Sequence, residues 1–334
     1  MNVKHSIRRL AAILLGMTLA ASVFAADVEE GQRILDTYTA PDQLAQPRLT
    51  SIRSFSGTVT EENISEQVQE ELKKAQNKPA KLTVKALNID GIHVYDIYMD
   101  DGKEKPLLIF FDGMGSNRGN FFYFWVNGNL KACEYAKAGI RVISVDAAAL
   151  GDSDVGPLPV QGMFAETVHY IDRIIEYYNT VEGVDASRFA IEGHSFGATI
   201  AFCYGAHGSY KPRAILAKSG VLNLADTGDK QNDCSDHGRP AENFMTDEQI
   251  QTFAERYSPV QWPEKFKDVY VYAANGMLDD TQSSDSVMAL EAQLKKMGSK
   301  NYKFIFDKKS DHNSIGRLFD QNILSVVKKQ LLKK

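Results

Sequence analysis

The chain has 334 residues, 43% of them hydrophobic and 24% charged, with a formal net charge of −5. That length accommodates one large α/β domain with a sizeable core. The acidic balance disfavours nucleic acid or an anionic membrane surface as partner. The cysteines Cys133, Cys203 and Cys234 have no metal-ligand spacing, so no metal and no other cofactor is expected.

Residues 1–25 read as a signal peptide. Lys4, Arg8 and Arg9 make a basic start, Leu10 to Val23 is an apolar run, and Val23-Phe24-Ala25 is an A-x-A-like cleavage site. The run is shorter than the roughly 18 residues that span a bilayer, so no membrane span is expected. Cleavage after Ala25 implies a periplasmic or secreted protein. Removing the three positive charges takes the net charge from −5 to about −8. In an oxidising compartment Cys203 and Cys234 could pair, or stay free as small buried hydrophobes.

Residues 26–80 form a polar, weakly patterned N-terminal arm, with a helix expected over Ile64 to Gln76. From residue 81 to residue 334 strands alternate with helices. Lys81 to Asp90 and Ile92 to Met99 alternate apolar and polar residues and should pair as a hairpin through Asp90-Gly91. Pro106 to Phe111 is continuously apolar, as in a strand buried on both faces. Phe121 to Ala138 reads as a helix, Arg141 to Asp146 as a strand, and Gly162 to Tyr178 as an amphipathic helix. Later come strands at Ala214 to Ala217, Asp268 to Ala274 and Tyr302 to Phe306. Helices at Ser284 to Met297 and Ser314 to Leu332 alternate with them. An insertion at residues 221–263, with a helix at Thr246 to Tyr257, is a candidate small cap. The alternation predicts an α/β fold with a doubly wound, mostly parallel sheet and an antiparallel hairpin at one edge.

The chemistry centres on Phe189-Ala190-Ile191-Glu192-Gly193-His194-Ser195-Phe196-Gly197-Ala198. An apolar run ends in Gly-x-Ser-x-Gly, and small and apolar residues follow at helical spacing. That is a strand, a sharp turn and a helix, with Ser195 exposed at the apex as a nucleophile. A serine hydroxyl needs a base oriented by an acid. In a fold with such an elbow the order is serine, acid, histidine. His5 lies in the signal, His93 and His169 precede Ser195, and His194 adjoins it. His207 ends the following helix and His237 lies in the insertion. His312, in the loop after the last strand, is the base. The acid belongs after the strand ending at Ala274, where Asp279 and Asp280 compete. Asp311 adjoins His312 and on an extended loop points away from it. One oxyanion donor is the backbone N–H of Phe196, the residue after the nucleophile.

These residues resemble the α/β-hydrolase superfamily of serine esterases and lipases, over residues 81–330. The resemblance implies the α/β-hydrolase fold. Gly276-Met277-Leu278-Asp279 matches the Gly-x-x-Asp of that superfamily, which implies Asp279 as the acid. Asp112-Gly113-Met114 is similar to its His-Gly-x oxyanion loop with Asp112 in place of histidine, which implies the N–H of Met114 as second donor. Leu150-Gly151-Asp152-Ser153-Asp154 resembles a hydrolase loop after the fourth strand. Tyr257-Ser258-Pro259-Val260 resembles a segment of dienelactone-hydrolase and prolyl-oligopeptidase relatives.

A serine, a histidine and an aspartate with an oxyanion hole suit hydrolysis of a small-molecule carboxylic ester through an acyl-enzyme on Ser195. A small serine peptidase or amidase is the alternative. Oligopeptidase relatives carry a propeller, which the roughly 55 residues before the first strand cannot supply. A non-catalytic binding protein on the same fold would need none of the three residues. The insertion is short and polar (Asp226, Asp229, Lys230, Asp233, Asp236), which disfavours a long acyl groove and favours short-chain esters. Phe121, Phe122, Tyr123 and Trp125 follow the oxyanion loop, either as pocket or as core.

Overall fold

The central strands are apolar on both faces because helices cover both sides of the sheet. In the computed structural model every residue of β4 (Lys105–Phe111), β5 (Arg141–Val145) and β7 (Ala214–Lys218) is buried. The structure describes residues 33, 51, 53–76, 78–126, 128–153, 158, 160–227 and 247–333, with the side chains of 249 and 250 left aside. Upstream lie β1 (Val59–Glu62), β2 (Leu82–Ile89) and β3 (Ile92–Met99). Downstream lie β6 (Val184–His194), β8 (Tyr270–Gly276) and β9 (Tyr302–Asp307). The order across the sheet is β1-β2-β3-β5-β4-β6-β7-β8-β9. Pairing is antiparallel from β1 to β5 and parallel from β5 to β9. The hairpin of β2 and β3 turns at Asp90 and Gly91, both at positive φ (55° and 82°), which matches the twist of the two strands.

One face of the sheet packs against α3 (Val160–Tyr178), α4 (Phe196–His207) and α6 (Asp285–Lys296). The other packs against α1 (Glu66–Lys74), α2 (Lys131–Lys137) and α7 (Gly316–Leu331). The fold is therefore α/β and doubly wound, with a mostly parallel sheet. Among the described residues no helix is long and apolar enough to cross a membrane.

Several segments differ from the sequence reading. The helix expected from Phe121 to Ala138 shrinks to α2. Before it come a 3₁₀ turn at Arg118–Tyr123 and a two-residue ribbon, Trp125–Val126 against Asn129–Leu130. Gly128 at φ 74° turns that ribbon, a conformation no helix interior allows. The arm contributes β1, which the polar sequence of Val59–Glu62 does not advertise. Gly57 and Thr58 donate their N–H groups to the Asp90 carboxylate and so bring it to the β2 edge. Residues 1–25 and 228–246, including Cys234, lie outside the described residues. Cys133 and Cys203 are free, buried thiols, and burial pushes Cys133 up to about 11 and Cys203 higher still.

In the insertion, α5 (Asp247–Tyr257) docks against the α4 side through Phe253 and Tyr257, four residues apart on one helical stripe. His207, at the end of α4, stacks on the Tyr257 ring with centroids 4.1 Å apart, and its Nε2–H donates to the Tyr257 carbonyl at 2.8 Å. Burial lowers the His207 pKa to about 4, although the bond to Tyr257 works the other way. An unfolded histidine titrates near 6.5. Between those values the unfolded chain binds the extra proton, so this contribution is complete above about pH 6.5 and is lost as pH falls towards 4. His207→Gln, which keeps a donor but cannot charge, should show a shallower loss of stability over that window. Equal slopes for mutant and wild type in denaturant titrations at several pH values would refute this.

Candidate active site

β6 ends at His194 and α4 begins at Phe196, leaving Ser195 alone to reverse the chain. Ser195 sits at φ 54°, ψ −116°, a left-handed conformation that costs a non-glycine residue about 1–3 kcal/mol. The surroundings hold it there. Its N–H donates to the Lys218 carbonyl on β7 at 2.9 Å, and its carbonyl accepts from Ala198 and Thr199 at 3.0 and 3.1 Å. A Cβ on Gly193 would overlap the Gly197 carbonyl, and one on Gly197 would overlap the carbonyl of Phe111. The Phe196 ring is buried against Phe164, with centroids 4.6 Å apart.

The loops after β8 and β9 bring the other two groups to this apex. His312 Nε2 lies 2.9 Å from Ser195 Oγ, and His312 Nδ1 lies 2.8 Å from Asp279 Oδ2. The Asp279 carboxylate is wholly buried, and its Oδ1 accepts from the N–H groups of Thr281 and Gln282 at 2.9 and 2.8 Å. Asp280 is exposed, and Asp311 is spent on its own loop, accepting from Asn313 and Ser314. The two loops are fastened together. Leu278 N–H donates to the Ser310 carbonyl at 3.0 Å, and Gly276 packs so closely on the carbonyls of Ser310 and Asp311 that a side chain would not fit. Ser219 Oγ, just after β7, donates to the His312 carbonyl at 2.6 Å and steadies the histidine.

The loop after β4 crosses in front of the elbow. A Cβ on Gly113 would lie 3.6 Å from Ser195 Cβ, so the backbone passes at contact distance from the serine. The Asp112 carbonyl accepts from Gly197 N–H at 3.0 Å. Neither Met114 N–H nor Phe196 N–H has an acceptor among the described residues. Of the aromatics that follow, Phe121 and Phe122 are fully buried against Phe110 and Tyr95 and belong to the core, whereas Tyr123 and Trp125 are exposed.

Two features escape sequence reasoning. Asp112 Oδ1 accepts from His194 Nδ1 at 3.0 Å. Burial works against the Asp112 carboxylate, but the His194 hydrogen bond holds its pKa below the ordinary value. Burial in turn pushes the His194 imidazole below its usual pKa, against the Asp112 bond that raises it. Beneath the site, Lys131 pairs with Glu192 and, at 2.9 Å, with Asp320, while Tyr135 OH donates to Glu192 at 2.7 Å. Glu192 lies three residues before Ser195, and Asp320 lies on the helix after the His312 loop, so the network joins the two. No local pattern announces partners so far apart in the chain. Among the described residues no His, Cys, Asp or Glu cluster suited to a metal is present.

A sequence model described as the prolyl oligopeptidase family matches residues 167–331, which include Ser195, Asp279 and His312. No curated protein compared by sequence matches the chain. Among solved structures, the acylaminoacyl peptidase of Pyrococcus horikoshii is similar over 82% of this chain at 12% identity and TM-score 0.59. The chain spans only 44% of that protein. The acetyl xylan esterase of Paenibacillus sp. R4 is similar over 88% of this chain and 100% of its own, at 13% identity and TM-score 0.58. An acetyl xylan esterase from Thermoanaerobacterium sp. JW/SL YS485 is similar over 89% and 92%, at 16% identity and TM-score 0.56. The chain has the α/β-hydrolase fold that its motifs resemble. The family match and these neighbours support a serine hydrolase, an esterase or a peptidase.

The tight approach at Gly197 gives a direct test of the elbow. Gly197→Ala places a methyl against rigid backbone, so it should lower the melting temperature by several degrees, consistent with an overpacking cost of about 1–3 kcal/mol. A variant melting with wild type in a calorimeter would show that the elbow relaxes freely.

Proposed function

We propose that the protein is a serine hydrolase that cleaves carboxylic esters of small acyl groups through an acyl-enzyme on Ser195. The observation that carries the reading is the unbroken hydrogen-bonded line from Asp279 through His312 to Ser195, at 2.8 and 2.9 Å. His312 Nε2 accepts the serine proton as Oγ attacks the ester carbonyl, then returns it to the departing alcohol. Asp279 keeps the other imidazole proton on Nδ1 and stabilises the imidazolium. The N–H groups of Met114 and Phe196 stabilise the tetrahedral oxyanion, the latter aided by the α4 dipole. Water then repeats the sequence on the acyl-enzyme and releases the acid.

The ester reading draws on the two acetyl xylan esterases, which are similar to this chain over 92% or more of their own length. The peptidase reading draws on the prolyl oligopeptidase match. Purified protein assayed on p-nitrophenyl esters from C2 to C12, with peptide p-nitroanilides alongside, separates them. kcat/KM should be highest on C2 to C4 esters; a maximum on C10 or C12, or on the anilides, would overturn the ester proposal. Ser195→Ala should lose about 10³-fold or more in rate. Asp279→Asn should lose about 10²–10⁴-fold while Asp280→Asn stays mild. The reverse ranking of the two would move the acid to Asp280.

Export is part of the same proposal, on the basic, apolar and small-residue order of residues 1–25. Protein recovered from the periplasm or the medium should begin at Ala26. An intact mass that retains residues 1–25 would overturn it.

A further inference from the structure

We propose that Asp112 and His194 are a positioning pair that fixes the oxyanion loop, holding the Met114 N–H in register with that of Phe196; this rests on the acyl-transfer reading of the site. Two hydrogen bonds fasten Asp112 to the elbow. Its carbonyl accepts from Gly197 N–H and its carboxylate Oδ1 accepts from His194 Nδ1–H, each at 3.0 Å. Both donors belong to the elbow, one on either side of Ser195, so the loop is pinned to the segment that carries the nucleophile. A single bond would leave the loop free to pivot about the Asp112 carbonyl. The second removes that freedom, and the next residue, Gly113, is the one that passes Ser195 at contact distance.

The electrostatics suit a fixed strut. The two side chains are 10% and 17% exposed, so the bond is shielded from competing water. An ionised carboxylate can only accept, so the imidazole carries a proton on Nδ1 and the bond is charge-assisted. Two other groups act on the same imidazole: Lys218 from β7, whose charge opposes its protonation, and His312, with ring centroids 5.5 Å apart. The departure from histidine at position 112 thus has a physical partner in the elbow itself.

The test measures p-nitrophenyl acetate hydrolysis and the affinity of phenylboronic acid, whose tetrahedral adduct on a serine needs the same oxyanion donors. Asp112→Ala and His194→Phe should each lose about 10²-fold in kcat, the scale of a misplaced oxyanion donor, with KM changed less than about threefold. Boronate affinity should fall in parallel. Asp112→Asn, whose amide oxygen still accepts from His194, should keep at least about tenfold more kcat than Asp112→Ala. If Asp112→Ala does not fold, judged by circular dichroism, the comparison of His194→Phe with Asp112→Asn carries the test. An active wild type whose variants stay within about twofold in kcat overturns the pair alone, as does a kcat loss with unchanged boronate affinity. A wild type inactive on the ester overturns the acyl-transfer reading and this inference with it.

Discussion

Two glycines let three backbone segments approach more closely than any side chain would permit, and the geometry of the site follows from that approach. Gly193 lies against the first turn of α4, and Gly197 lies against the end of β4. With those contacts in place the chain reverses within one residue, and Ser195 takes up the positive φ. The strain is local and is offset by the bonds from Ser195 to β7 and into α4. A serine on an ordinary strand end would turn its hydroxyl towards a neighbouring strand or helix. Here it stands at the carboxyl edge of the sheet, where the loops after β4, β8 and β9 converge.

The parallel arrangement explains why those loops meet. Strands β4, β6, β7, β8 and β9 run the same way, so the loops that follow them all emerge on one edge. The bond of Leu278 to Ser310 and the close packing of Gly276 join the loop that carries Asp279 to the loop that carries His312. Ser219, just after β7, holds the histidine backbone from the far side of β8. The buried network of Lys131, Glu192, Asp320 and Tyr135 extends the same logic below the sheet edge, coupling the strand before the elbow to the helix after His312. Breaking such a network by removing one partner leaves a buried charge uncompensated, so it resists displacement of either element.

Legibility in the sequence tracked the range of the interactions involved. β2, β3, β4 and β5 were readable because each carries its burial pattern in consecutive residues, and the Asp90-Gly91 turn carries its own conformational demand. The stretch from Phe121 to Ala138 misled because its aromatics have a helix-like apolar spacing, while Gly128 and the packing of Phe121 and Phe122 on Phe110 and Tyr95 impose a turn and a ribbon. β1 was invisible because its residues are polar and its strand state comes from pairing with β2.

The sequence by itself determined the alternation of buried strands and amphipathic helices and the elbow around Ser195, because local periodicity and glycine spacing specify these, and it offered Asp279 and Asp280 as rival acids ahead of His312. Only the tertiary structure decided which aspartate reaches His312, that Asp112 is tied to His194, that Cys203 is a buried free thiol, and that Phe121 and Phe122 are core. The two hydrogen bonds join residues 33 and 82 positions apart, and the burial of Cys203, Phe121 and Phe122 depends on which face of the sheet a side chain meets. Such contacts arise from the packing of whole elements, and no short window of sequence contains both partners.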